Sequence, residues 1–139
     1  MTSAAASPLV IAHRGASGYL PEHTLASKAM AHAMGADYLE QDVVLTNDGV
    51  PIVLHDVYLE ATTDVEQRFP DRARADGRFY AIDFTLAEVR QLSVLERTTT
   101  GKAGASGGYP TRVPVQAGYR RVPSVVEELR VIAGMDTSR

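Results

Sequence analysis

Apolar residues come in short blocks divided by turn signals along the first 56 positions. Leu9-Val10-Ile11-Ala12 follows Pro8 and ends at His13-Arg14-Gly15, as expected of a buried strand whose C-terminal end opens into a turn. Thr24 stands where an N-cap is wanted, the pattern predicts a helix over 25–34, and Gly35 follows at the left-handed C-terminal position. Residues 37–45 (DYLEQDVVL) predict a second strand, Asn47-Asp48-Gly49 a turn, and Pro51 to His55 a third strand. From Val57 to Phe84 the pattern breaks up. This stretch is charged, interrupted by Pro70 and Gly77, and too long for an ordinary connection, so it is expected to be an insertion or a cap over a site. Thr85 with Glu88 forms a capping box for a helix to about Leu92, and residues 101–118 make a Gly/Pro-rich loop. Ser124 with Glu127 opens a last helix that Gly134 is expected to close.

Strands alternating with helices in 139 residues point to a single α/β domain. Three strands, two of them strongly apolar, make a sheet with unprotected edges, and the pattern stops after a helix, where a further strand is due. The expectation is an α/β array cut short before its fourth strand. The chain has no cysteine, which excludes a disulfide scaffold, a thiol nucleophile and a zinc–thiolate site. A pI near 5.8 and a net charge of -3 argue against a nucleic-acid partner. No uncharged apolar run approaches the ~20 residues of a membrane span. The opening MTSAAASPLVIAHRG lacks the basic and long apolar regions of a signal peptide.

Several polar residues interrupt this scaffold at strand ends. Glu40 and Asp42 lie two apart on one predicted strand, so they face the same way, roughly 6.6 Å apart along the backbone. Two carboxylates on one face repel unless neutralised, and a hard divalent cation does this well; the competing reading is a solvated acidic edge. If Asn47-Asp48 closes a hairpin, His55 falls opposite Glu40, and a parallel neighbour is the alternative. His13 ends the first strand with Arg14 beside it. A guanidinium can grip phosphate and an imidazole can move a proton near neutral pH, while a solvated strand terminus is the plain alternative. Glu22 is explained by the helix N-terminus, and His32 by a surface or core-edge position. Asp64, Arg68, Asp71, Arg72, Arg74 and Asp76 are expected to form surface ion pairs.

Taken together, HRG, PEHT, E-x-D and V-L-H-D resemble the glycerophosphodiester phosphodiesterase family. The stretch from Val57 to Leu92, with RFPDRARADGRFYAIDFTL, is similar to that of its calcium-dependent periplasmic branch, as is histidine rather than asparagine at His23. The resemblance implies the N-terminal portion of a TIM-type (β/α)8 barrel that hydrolyses glycerophosphodiesters to sn-glycerol 3-phosphate and an alcohol. It implies that His13 and His55 are the acid–base pair, that Arg14 holds the phosphate, and that Glu40 and Asp42 bind a divalent metal, calcium ahead of magnesium. Glu22 is expected to help shape the site. A third metal carboxylate is expected on a later strand, in an E-x-K context that this sequence does not contain, so the isolated chain is expected to be inactive. The branch implies a periplasmic or secreted protein, with a cytoplasmic one as the alternative. The competing functions are a related phospholipase or sphingomyelinase-D-like phosphodiesterase, and a non-catalytic half-barrel.

Overall fold

The computed structural model describes residues 7–97 and 120–136. Strand β1 (Ile11–Ala12) pairs in parallel with β2 (Tyr38–Leu39), with Ile11 opposite Tyr38 and Ala12 opposite Leu39. The connection between them is helix α1 (Leu25–Ala33), so this is a β-α-β unit of the kind that barrels repeat. Thr24 caps α1 by accepting from the Ser27 amide at 3.2 Å, and Gly35 leaves the helix at a φ of 83°.

The second predicted strand is two strands. After β2 the Glu40 amide still donates to Ala12 O at 3.1 Å, but Asp42 O already accepts from Leu54 N at 3.1 Å. Between these two residues the chain changes partners. Beyond them β3 (Val43–Leu45) forms an antiparallel hairpin with β4 (Pro51–Val53), closed at Gly49 with a φ of 74°. Val43 lies opposite Val53, so the register runs one residue away from a His55–Glu40 pairing.

The charged stretch from 57 to 84 is no bare loop. Leu59, Val65, Phe79, Ala81 and Phe84 join Ile52, Leu54, Val89, Leu92, Val94 and Val122 in the main buried cluster. Its two ends are joined by Leu59 N donating to Phe79 O at 2.8 Å, and the short helix α2 (Val65–Arg68) lies between them. Arginines fringe this core, with Arg72 over Phe84, Arg74 over Tyr80 and Arg78 over Tyr58. Their carboxylate partners are Glu88, Asp83 and Glu60, not the acids predicted beside them, and Asp64 instead accepts from the Ser93 amide at 2.7 Å.

Helix α3 (Leu86–Val89) carries the expected capping box but is one turn long. The last helix, α4 (Val125–Asp136), runs through Gly134 instead of ending there, because no left-handed residue is required at that point. It packs on α1 through the buried pair Lys28–Glu128 at 3.2 Å. In contrast to the expected burial, Leu9, Val10 and Ile11 are exposed, since among the described residues only one edge of β1 is paired. The loop expected over 101–118 lies outside the described residues. No described helix is long and apolar enough to cross a membrane.

Candidate functional site

The site grows from the turn after β1. Arg14 and Gly15 both take left-handed backbone, at φ 63° and 85°. Glycine is required at the second position, because a Cβ there would sit 2.6 Å from Ser27 Oγ and 3.0 Å from its carbonyl carbon. The turn aims Arg14 in three directions. Its amide donates to Glu40 Oε2 at 2.7 Å, its Nη1 donates to Glu22 Oε1 at 3.1 Å, and its Nε lies 3.8 Å from Asp42 Oδ2. One arginine therefore touches both carboxylates expected to bind metal. These acids flank the point where the chain passes from one sheet to the other, which leaves them at a strand end and off a shared ladder.

Asp42 has a second partner, His23, whose Nε2 stands 3.0 Å from Oδ2. Burial, aided by the charge of Lys28, pulls the His23 pKa down against the attraction of Asp42 and Glu22. A neutral ring with its proton on Nε2 donates to the carboxylate, while the buried Nδ1 has no hydrogen-bond partner among the described residues. Behind Glu40, the Lys28 ammonium donates to its carbonyl oxygen.

His55 stands 2.8 Å from Asp56 through Nδ1. The other Asp56 oxygen meets Arg97 Nη1 at 2.7 Å, and Arg97 grips Glu22 with Nε and Nη2, both at 2.9 Å. Burial would raise the carboxyl pKa of both acids. For Glu22, Arg97 and Arg14 outweigh it, and for Asp56, His55 and Arg97 do, so both are held below the usual carboxylate range. A continuous chain of polar contacts thus runs from His55 through Asp56, Arg97, Glu22 and Arg14 to Asp42 and His23.

The geometry brings together Arg14, Glu40 and Asp42, and ties His55 to them at a distance. His13 is exposed and its imidazole makes no hydrogen bond among the described residues. Sequence reasoning noted Asp56 only within V-L-H-D and His23 only as a mark of the branch, and gave neither a part in the site. Arg97 gave no signal, because its partner Glu22 lies 75 positions away.

As a fit for a divalent cation, Glu40 and Asp42 offer hard oxygen donors beside one another, each also held by a fixed protein donor. Glu22 is instead committed to Arg14 and Arg97, which together donate three hydrogen bonds to its two oxygens. Among the described residues no three histidine or carboxylate side chains are placed to hold a metal ion. The described residues therefore supply part of a cation site.

The profile of the glycerophosphoryl diester phosphodiesterase family matches residues 13–138. A glycerophosphodiester phosphodiesterase from Haemophilus influenzae is 48% identical over 130 residues, which is 94% of this chain and 36% of that protein. A crystal structure from Silicibacter pomeroyi DSS-3 is similar at a TM-score of 0.71 and 35% identity, over 91% of this chain and 41% of that one. An Oleispira antarctica phosphodiesterase, solved with the product sn-glycerol-3-phosphate, is similar at a TM-score of 0.63 and 33% identity, over 91% and 40%. The chain therefore spans well under half the length of these relatives, and its architecture is part of their barrel. On its sequence match and its fold together, the chain belongs to the glycerophosphoryl diester phosphodiesterase family.

Proposed function

We propose that this chain carries the acid–base pair, the phosphate-binding arginine and two metal carboxylates of a site that hydrolyses glycerophosphodiesters to sn-glycerol 3-phosphate and an alcohol. The observation that carries the reading is the convergence of Arg14 on Glu40 and Asp42 at the ends of β1 and β2, within the matched stretch. Barrel enzymes place their chemistry at that end of the strands. The sn-glycerol-3-phosphate bound to the Oleispira relative supports the choice of substrate.

In this reading one of His13 and His55 takes a proton from the attacking oxygen while the other returns one to the leaving alkoxide. Asp56 fixes the His55 ring through Nδ1. Arg14 turns Nη1 to Glu22 and its buried Nε toward Asp42, and its remaining terminal N–H groups are the ones proposed to meet phosphoryl oxygens. A divalent cation held through Glu40 and Asp42, calcium ahead of magnesium, supplies positive charge against the phosphoryl group. His23 and the Arg14 amide each fix one oxygen of those carboxylates, Asp42 Oδ2 and Glu40 Oε2, and so restrict how they could turn to a cation. With only two carboxylates converging among the described residues, cation affinity is expected to be low and the 139-residue chain to give no multiple turnover.

The test joins this chain to the remaining part of the Haemophilus relative and supplies glycerophosphocholine with calcium. Chelator-sensitive release of sn-glycerol 3-phosphate, with little cleavage of intact phosphatidylcholine, is expected. No release, where the unaltered relative releases product, would contradict the reading.

A further inference from the structure

Arg97 reaches the site from a distant part of the chain and has no role in the chemistry just described. Its three guanidinium nitrogens are committed, Nε and Nη2 to the two oxygens of Glu22 and Nη1 to Asp56 Oδ2. Two carboxylates held by one planar fork cannot turn independently. Glu22 is in turn fastened to Arg14, so the fork is anchored on the turn after β1. The side chains of Glu22 and Asp56 are only 12% and 15% exposed, against 29% for Arg97, which places the clamp where water competes weakly.

Holding Asp56 by one oxygen fixes where the other points, and that other oxygen is the one against His55 Nδ1 at 2.8 Å. An ionised carboxylate only accepts, so Nδ1 must carry the proton. The same fork that lowers the Asp56 pKa keeps that carboxyl ionised. The neutral ring then presents an unprotonated Nε2, the nitrogen left to exchange a proton.

We propose that Arg97 is a positioning residue that sets the tautomer and orientation of His55 by clamping Asp56 to Glu22. The inference rests on the reading of His55 as an acid–base group for its catalytic meaning, while the tautomer is a property of the chain itself. Breaking the clamp frees Asp56 to rotate or to take water, and the Nδ1–H form loses its advantage. Arg97→Lys keeps the charge but cannot bridge two carboxylates in one plane, so it restores only part of the effect.

The experiment is nitrogen-15 NMR of the imidazoles in the 139-residue chain, at a pH where His55 is neutral. Unaltered protein, Arg97→Met and Arg97→Lys are compared, with Asp56→Asn as the reference for a lost carboxylate acceptor. The expected result is a dominant Nδ1–H form in the unaltered chain. In Arg97→Met its ratio to the Nε2–H form should fall about tenfold, the scale of one charge-assisted hydrogen bond, with a smaller fall in Arg97→Lys. Backbone amide spectra show whether each variant keeps its fold. If Arg97→Met unfolds, Glu22→Gln, which cuts the anchoring side of the fork, is read instead and must shift the ratio in the same direction. An unchanged ratio in a folded clamp variant overturns the inference whatever the chain's activity. A changed ratio in a chain whose His55→Ala variant still turns over glycerophosphocholine, once joined to the rest of the barrel, upholds the clamp and removes His55 from the chemistry.

Discussion

Arg14 and Gly15 show how tightly single positions are bound to the chemistry around them. A methyl group at Gly15 meets Ser27 at 2.6 Å and must also adopt a φ of 85°. Gly15→Ala is expected to destabilise the chain by at least about 1–3 kcal/mol, read from urea unfolding, because the turn that aims Arg14 cannot relax without moving α1. His23 also holds left-handed backbone, at 57°, while its amide donates to Arg14 O at 3.1 Å and its ring meets Asp42. Asparagine tolerates that backbone better but its shorter amide falls short of the carboxylate. His23→Asn should therefore keep or raise stability while weakening calcium binding, and calorimetric titration of the two proteins checks both effects. Glu22 and Asp56 add a pH dependence of known sign. Their folded pKa values lie below those of the unfolded chain, so their contribution is full above an ordinary carboxylate pKa of about 4 and is lost as pH falls through the lower folded values. Urea midpoints at pH 7 and pH 3 should differ less in Glu22→Gln than in the unaltered chain.

Between elements, the buried contact of α1 with α4 is an ion pair, not a layer of apolar side chains. Lys28 and Glu128 are both fully buried, and Lys28 also donates to the carbonyl of Glu40. Burial pushes the Glu128 pKa up, and Lys28 draws it part of the way back. Removing the lysine strands a carboxylate in the interior. Lys28→Met should cost roughly 3–5 kcal/mol at neutral pH, whereas Lys28→Met with Glu128→Leu should recover most of that loss. The sign with pH follows from the raised pKa. The loss in Lys28→Met shrinks as pH is lowered through the folded value of Glu128, where the stranded group takes up a proton. Unfolding of the two variants against pH tests this.

The helix N-caps at Thr24, Thr85 and Ser124 and the turn at Asn47-Asp48-Gly49 were legible in the sequence because each rests on residues a few positions apart. The break at Glu40 to Asp42 was not, since DYLEQDVVL is one uninterrupted apolar pattern and only the identity of its partners divides it. For the same reason the hairpin register could be guessed to within one residue and no closer. The apolar core of the stretch from 57 to 84 was hidden by its charge. Leu59, Val65, Phe79, Ala81 and Phe84 are spread among arginines and acids, with no helical or strand period to reveal them. At the site, Arg14, Glu40 and Asp42 were read from local motifs and lie together in the structure, while Arg97 was missed because nothing near it in sequence explains it.

Over the whole molecule, the central claim is a division of labour between histidines that move protons and carboxylates that hold a cation. The most direct test is the metal-activation curve of the chain joined to the rest of the Haemophilus barrel, measured for four single variants. His13→Ala and His55→Ala should each lower turnover by about 10²–10⁴-fold, the range of general acid–base catalysis, at an unchanged metal requirement. Glu40→Ala and Asp42→Ala should shift the curve to much higher calcium and regain turnover there. The same metal requirement in all four variants would contradict the account.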